Sequence, residues 1–171
     1  MIHLKKNVVL IGMPGAGKST VGVVLAKNLG YSFIDSDLLI QEYAGKLLHN
    51  IIEEKGLDGF EEIENKVNAA ISTFSSVIAT GGSVIYGKEA MAHLKEIGTV
   101  VYLSLPYEEI EHRLGDLNER GVAIKEGQTL KSLYDERVPM YEDYADVIVE
   151  CEGLQIREIV HQIKARVSFL N

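Results

Sequence analysis

The apolar run Val8-Val9-Leu10-Ile11 passes directly into Gly12-Met13-Pro14-Gly15-Ala16-Gly17-Lys18-Ser19-Thr20. Two glycines with four residues between them, then Lys and Ser, make the P-loop pattern, and its strand-to-helix setting is what gives the pattern meaning. Glycine lets the backbone approach a triphosphate, so that successive N–H groups and the start of the following helix face its negative charge. Gly12, Gly15, Ala16, Gly17, Lys18, Ser19 and Thr20 are therefore candidate nucleotide-binding residues. Lys18 would reach the β- and γ-phosphates. Ser19 would set its hydroxyl on Mg²⁺, a hard cation that takes oxygen ligands. The plain alternative is a Gly-rich turn that only reverses the chain.

Beyond the loop, hydrophobic periods alternate between strand and helix. Val21, Val24, Leu25 and Leu29 recur at helical spacing up to Gly30. Tyr31 to Ile34 predicts a second strand, ending at Asp35-Ser36-Asp37, and so places two carboxylates at a strand's carboxyl end, where open parallel sheets bind ligands. The same three residues would also serve as a helix N-cap. Helices are expected over Leu38 to Tyr43, Leu47 to Lys55 and from Gly59 on, with Phe60, Ile63, Val67 and Ile71 on one face. Ser76 to Thr80 predicts a third strand running into Gly81-Gly82. A helix through Met91, Leu94 and Ile97 precedes a fourth strand, Thr99 to Leu103. A helix from Pro106 to Leu114 leads to the polar, glycine-punctuated Gly115 to Gly127, of a length typical of lids. A helix from Thr129 to Tyr141, a strand Asp146 to Val149 and a last helix through Val167 finish the pattern. Such alternation implies a parallel sheet covered on both faces, within one domain spanning 1–171.

Bulk properties narrow the function. The net charge of −8 argues against a nucleic-acid surface, which needs concentrated Lys and Arg. No apolar stretch is long enough for a membrane span, and the short polar start leaves no room for a leader, so a cytoplasmic protein is expected. Cys151 is alone, and His3, His49, His93, His112 and His161 show no metal-ligand spacing, which makes zinc an unsuitable expectation. The expected partner is a small-molecule substrate, with neither nucleic acid nor membrane, and the expected state is a monomer.

The P-loop at the first strand, Asp35-Ser36-Asp37 at the second, Gly81-Gly82 at the third, an Arg-bearing lid and Asp135-Glu136-Arg137-Val138-Pro139-Met140-Tyr141 together resemble the shikimate kinase family over nearly the whole chain. The resemblance implies a P-loop nucleoside-monophosphate-kinase-like three-layer α/β sandwich with a five-stranded parallel sheet. It implies a helical substrate-binding segment over about 36–74 and a lid over about 115–127. It also implies ATP and Mg²⁺ as cofactors and shikimate as the acceptor of the phosphoryl group. Ser19 and Asp35 match the Mg²⁺ site, Asp37 the acid at the attacking hydroxyl, and Gly81 and Gly82 the backbone beside the acceptor. Arg113 resembles the arginine at the adenine, Arg120 the lid arginine over the phosphates, and Arg137 a grip on the acceptor's carboxylate. Lys18, Asp37 and Arg120 are thus the catalytic candidates.

The chain departs from the family in three places. Phe60 is followed by Glu61 where the family has an arginine that binds the shikimate carboxylate. At about 4 Å and an effective dielectric near 20, that reversal would turn an attraction of about 4 kcal/mol into a comparable repulsion, before solvent and rearrangement reduce both. Ser83 stands for the family's third glycine, and Arg120-Gly121-Val122 for Arg-Pro-Leu. Glu61 is therefore a candidate acceptor-binding residue of altered preference. Paired with Arg137 it would suit a hydroxylated amino acid; pointing to solvent it would leave shikimate in place. A nucleotide-binding regulatory module without catalysis is the reading from another class.

Overall fold

The computed structural model describes residues 7–115 and 124–170. A run of aliphatic side chains can be a strand only if both faces are covered. In β1 (Asn7–Ile11), accordingly, Val8 to Ile11 have no exposed surface. The other strands are β2 (Ser32–Asp35), β3 (Ser76–Ala79), β4 (Gly98–Ser104) and β5 (Val147–Glu150). All five pair in parallel in the order β2-β3-β1-β4-β5. Val9 of β1 is in register with Ile78 on one side and Val100 on the other.

Seven α-helices accompany the sheet among the described residues: α1 (Lys18–Leu29), α2 (Ser36–Ala44), α3 (Leu48–Ala69), α4 (Lys88–Ile97), α5 (Tyr107–Leu114), α6 (Leu130–Tyr144) and α7 (Ile156–Arg166). The fold is α/β of the P-loop nucleoside-monophosphate-kinase-like kind. The main core joins the sheet to Leu25, Met91, Leu94, Ile110, Leu133 and Ile163. A small separate cluster, Ile40, Ile51 and Phe60, holds α2 against α3. Among the described residues no helix is long and apolar enough to cross a membrane.

Strand order sets the position of the site. From β1 the chain goes out to the edge at β2, returns to β3, then crosses β1 to reach β4. Connections that diverge in this way leave a crevice at the carboxyl ends of the central strands. The loop after β1, Asp35 at the end of β2 and Gly81-Gly82 after β3 all open onto it.

Element boundaries differ from the sequence expectation in two informative places. α2 begins at Ser36, not Leu38, because the Asp35 carboxylate caps it by accepting the Asp37 N–H at 3.0 Å. α3 is, as expected, two helices, 48–55 and 57–69, that meet at a kink. The second begins at 57, ahead of Gly59, because Gly56, at the non-helical φ 73° and ψ 176°, joins them with no intervening loop, a conformation that glycine adopts without steric penalty.

Asn7 holds the amino end of the sheet. It is fully buried; its Nδ2 donates to Thr73 O at 3.0 Å and Ile97 O at 2.9 Å, and its Oδ1 accepts the Ser76 N–H at 3.0 Å. Its side chain thus joins the start of β1, the start of β3 and the end of α4. Asn7→Ala removes the side-chain partner of one buried and two partly buried backbone groups and is expected to cost roughly 3 kcal/mol. Urea denaturation at neutral pH reads this directly. A loss below about 1 kcal/mol would mean that water replaces the side chain at this junction.

Candidate active site

At the end of β1 the backbone must turn sharply beside β4. A Cβ on Gly12, at φ 150°, would lie 2.9 Å from Leu103 O, so the turn requires glycine. Gly17 precedes α1 and no side chain caps that helix, which leaves its leading N–H groups for an anion. Lys18 is only 8% exposed, and its Nζ donates to Gly12 O at 2.5 Å and Met13 O at 2.9 Å. Burial lowers its pKa to about 8, against the pull of Asp37, Glu64 and Asp35. A phosphate at this loop would give the ammonium an anion and favour its charged form.

Ser19 and Asp35, the candidate metal pair, meet across the crevice: Ser19 Oγ donates to Asp35 Oδ2 at 3.4 Å. A hydroxyl and a carboxylate converging beside a phosphate loop suit a hard divalent cation that keeps waters and phosphate oxygens in its shell. Asp37 lies deeper. Burial first, then Asp35, raise its pKa, while Lys18 opposes them.

The loop after β3 forms the floor of a cavity of about 390 Å³ whose walls include Lys18, Asp37, Phe60, Glu64, Ser83 and Arg137. A Cβ on Gly81 would stand 2.7 Å from Asp37 Oδ1 and 3.0 Å from Glu64 Oε2, so only a bare backbone fits between the two acids. One residue on, the site changes sign: a Cβ on Gly82 would stand 2.9 Å from Arg137 Nη1. Arg137 is 3% exposed and, among the described residues, forms no ion pair. Tyr86 positions it, with the guanidinium 5.4 Å from the ring centroid and Nε donating to the Tyr86 hydroxyl at 3.4 Å. That hydroxyl in turn donates to Glu136. Tyr141, stacked on Tyr102 at 5.1 Å, fixes the floor itself by donating to Gly82 O at 2.6 Å.

Other candidates are placed around this cavity. Gly12 and Ala16 pack beneath the phosphate loop, and Gly15, Gly17 and Thr20 line the cavity. Arg113 donates from Nη1 to Gly15 O at 3.2 Å and from Nε to Glu109 at 3.0 Å, so it flanks the P-loop. Glu61 is half-buried and lines an adjoining pocket with Asp58, Asn65, Tyr86 and Lys88. Burial raises its pKa, Lys125 opposes that, Asp58 adds to it and Arg137 again opposes. Arg120 lies outside the described residues, as does most of the expected lid.

Sequence reasoning passed over Glu64, Tyr86 and Tyr141. Glu64 is 2% exposed; Ser83 Oγ donates to its Oε1 at 2.6 Å, and its Oε2 has no partner. The available signal was its spacing, one helical turn after the buried Phe60.

A phosphate loop on β1, an acid pair at the end of β2 and a buried guanidinium on α6 define a P-loop phosphotransferase. A family model described as shikimate kinase matches residues 14–168. A shikimate kinase of Persephonella marina is 34% identical over 163 residues, covering 95% of this chain and 99% of that one. One of Francisella tularensis subsp. novicida is 38% identical over 162 residues, 92% of each. Among solved structures, the shikimate kinase of Acinetobacter baumannii in complex with shikimate superposes with a TM-score of 0.84 at 34% identity, covering 93% of this chain and 90% of that one. That of Aquifex aeolicus gives 0.74 at 32%, covering 92% of each. The chain belongs to the shikimate kinase family, and it is a kinase of small metabolites.

Burial raises the Glu64 pKa to about 7, with Asp37 adding to the shift and Ser83 and Arg137 opposing it. Between pH 4.5 and about 7 the folded protein therefore keeps a proton that the unfolded chain has lost. Stability contributed at this site falls as pH rises through that window, by about 3 kcal/mol in all. Glu64→Gln should remove the fall and stabilise the ligand-free protein at pH 8 more than at pH 5. Parallel denaturation curves of the two proteins at both pH values measure this, and an equal difference at both would place the titration elsewhere.

Proposed function

We infer that this enzyme transfers the γ-phosphoryl group of ATP to a hydroxyl of shikimate. The observation that carries the reading is Arg137, a buried guanidinium without a carboxylate partner among the described residues, beside Gly82 in the cavity that also holds Lys18 and Asp37. Such a cation suits an acceptor that brings its own carboxylate, bound through a planar fork. The Acinetobacter relative was solved with shikimate. With its carboxylate at Arg137 and its ring across Gly82 and Gly81, an acceptor of this size would present a hydroxyl to Asp37.

In phosphoryl transfer most of the catalysis is positioning and charge neutralisation. The leading N–H groups of α1 and Lys18 hold the phosphates. Ser19 and Asp35 would hold Mg²⁺, which would offset phosphate charge. Asp37 orients the attacking hydroxyl and accepts its proton. Residues of about 36–74 act as the acceptor-binding segment, and those of about 115–127 as a lid that brings Arg120 over the transferring group. A monomer is the unit this arrangement needs. A hydroxylated amino acid is not favoured as acceptor, because Glu61 lines the outer pocket while the cavity is lined by Phe60 and Glu64.

The test is turnover of ATP with Mg²⁺ across a panel holding shikimate and hydroxylated amino acids. Shikimate should be the efficient acceptor. Asp37→Asn should lower kcat by roughly 100-fold or more while nucleotide affinity stays within about threefold. Lys18→Ala should abolish transfer with the circular dichroism spectrum unchanged. Shikimate-independent ATP turnover at the wild-type rate, or an Asp37→Asn enzyme of normal kcat, would overturn the assignment.

A further inference from the structure

The cavity has an asymmetry that the phosphoryl-transfer reading leaves unused. It is lined by two acids, the half-buried Asp37 and the buried Glu64, and only Asp37 has a task. Glu64 is the more enclosed of them in the ligand-free protein; one oxygen is taken by Ser83, and the other is buried without a partner at the edge of Gly81. A buried polar atom left unpaired costs free energy, which a ligand group can recover by pairing with it. The unpaired Oε2 and Asp37 Oδ1 flank the same glycine, so an acceptor lying over Gly81 meets both.

We propose that Glu64 takes part as a neutral carboxyl, held through Oε1 by Ser83, whose Oε2–H donates a hydrogen bond to the acceptor lying over Gly81. This rests on the reading of the site as one for a hydroxylated carboxylate. Two ionised acids around one glycine would repel each other and an anionic acceptor, whereas one ionised and one neutral acid leave a proton acceptor and a donor side by side. The surrounding groups agree with that division. Asp37 on α2 and Glu61 on α3 itself disfavour a charge on Glu64; Arg137 on α6 favours one, and Lys18 on α1 also faces it. Glu89 of α4 is taken up by Asn65 at 2.9 Å. The balance lies with burial, which sets the Glu64 pKa at about 7. Ser83 is the residue that departs from glycine in the floor, and its hydroxyl fixes which carboxyl oxygen is left for the ligand.

The consequence is an acceptor affinity that depends on one proton. Shikimate binding should be level at pH 6 and weaken above neutrality, approaching about tenfold per pH unit once Glu64 ionises. Glu64→Gln, which keeps an N–H donor in place of the O–H, should bind shikimate within about threefold of wild type at pH 6 and show no such weakening up to pH 8.5. Ser83→Ala removes a hydrogen bond that favours the carboxylate, so it should move the break to higher pH. Calorimetry with shikimate gives the affinities. A ¹³C titration of the Glu64 carboxyl in the ligand-free full chain, assigned by its loss in Glu64→Gln, gives the proton directly. Titration below pH 5.5, or a Glu64→Gln protein at least tenfold weaker at pH 6, overturns the proposal. If wild type binds no shikimate at any pH, shikimate fails as acceptor. The titration still decides in that case: a midpoint near 7 keeps a neutral donor in the cavity, and one below 5.5 removes it.

Discussion

The placement of β1 between β3 and β4 is the constraint on which the site depends. Parallel pairing on both sides fixes the register of Val8 to Ile11 against two neighbours and brings the carboxyl ends of adjacent strands to one level. The phosphate loop leaves β1 there, and Gly81-Gly82 leaves β3 beside it. Strand β2, paired to β3 with Asp35 opposite Ala79, puts the acid pair one strand further out. A single-residue slip in any of these pairings would turn buried side chains to the opposite face and separate the phosphate loop from the acids. The fully buried Asn7, which ties β1 to its neighbours at the other end, makes such a slip costly.

That framework carries an electrostatic load. Lys18 and Arg137 are both nearly inaccessible, and among the described residues neither is within ion-pair distance of an acid. Burying an ion costs several kcal/mol even after relaxation. The ligand-free protein limits the cost locally. Lys18 donates to two loop carbonyls and has a lowered pKa, Arg137 lies on the face of Tyr86, and Glu64 keeps its proton near neutrality. Each is an arrangement that an anionic or hydroxylated ligand improves. The stability given up here is what such a ligand would recover.

Much of this was legible in the sequence because it depends on short-range rules. The P-loop spacing, the aliphatic runs and the glycine punctuation fix strand ends and helix starts, and the resemblance orders them into a family. The long-range polar contacts were not legible. Asn7 looks like an ordinary residue before a strand, yet its partners are Thr73, Ser76 and Ile97, more than sixty residues away. Glu64 lies among charged neighbours in Glu61-Glu62-Ile63-Glu64-Asn65-Lys66, and the apolar period through Phe60, Ile63 and Val67 points past it. In the fold the fully buried stripe of α3 is Phe60, Glu64 and Asn68, two of them polar, with Ile63 and Val67 at its margin. A hydrophobic count follows Phe60, Ile63 and Val67, which pack with α2, and misses Glu64, which lines the cavity.

The same helix sets where the sign change at position 61 falls. On an α-helix consecutive residues are about 100° apart, while residues four apart are separated by about 40°. Phe60 and Glu64 therefore share the cavity wall, and Glu61 turns to the outer pocket beside Lys88 and Tyr86, where Lys125 compensates part of its charge. A charge at the half-buried rim acts through a higher effective dielectric than one in the cavity, so reversing its sign is damped by solvent. A charge at 64 has no such relief. On the proposed reading, acceptor recognition in this chain would fall to the groups the backbone cannot turn away from the cavity: Arg137, the bare amides of Gly81 and Gly82, and the carboxyl that Ser83 holds.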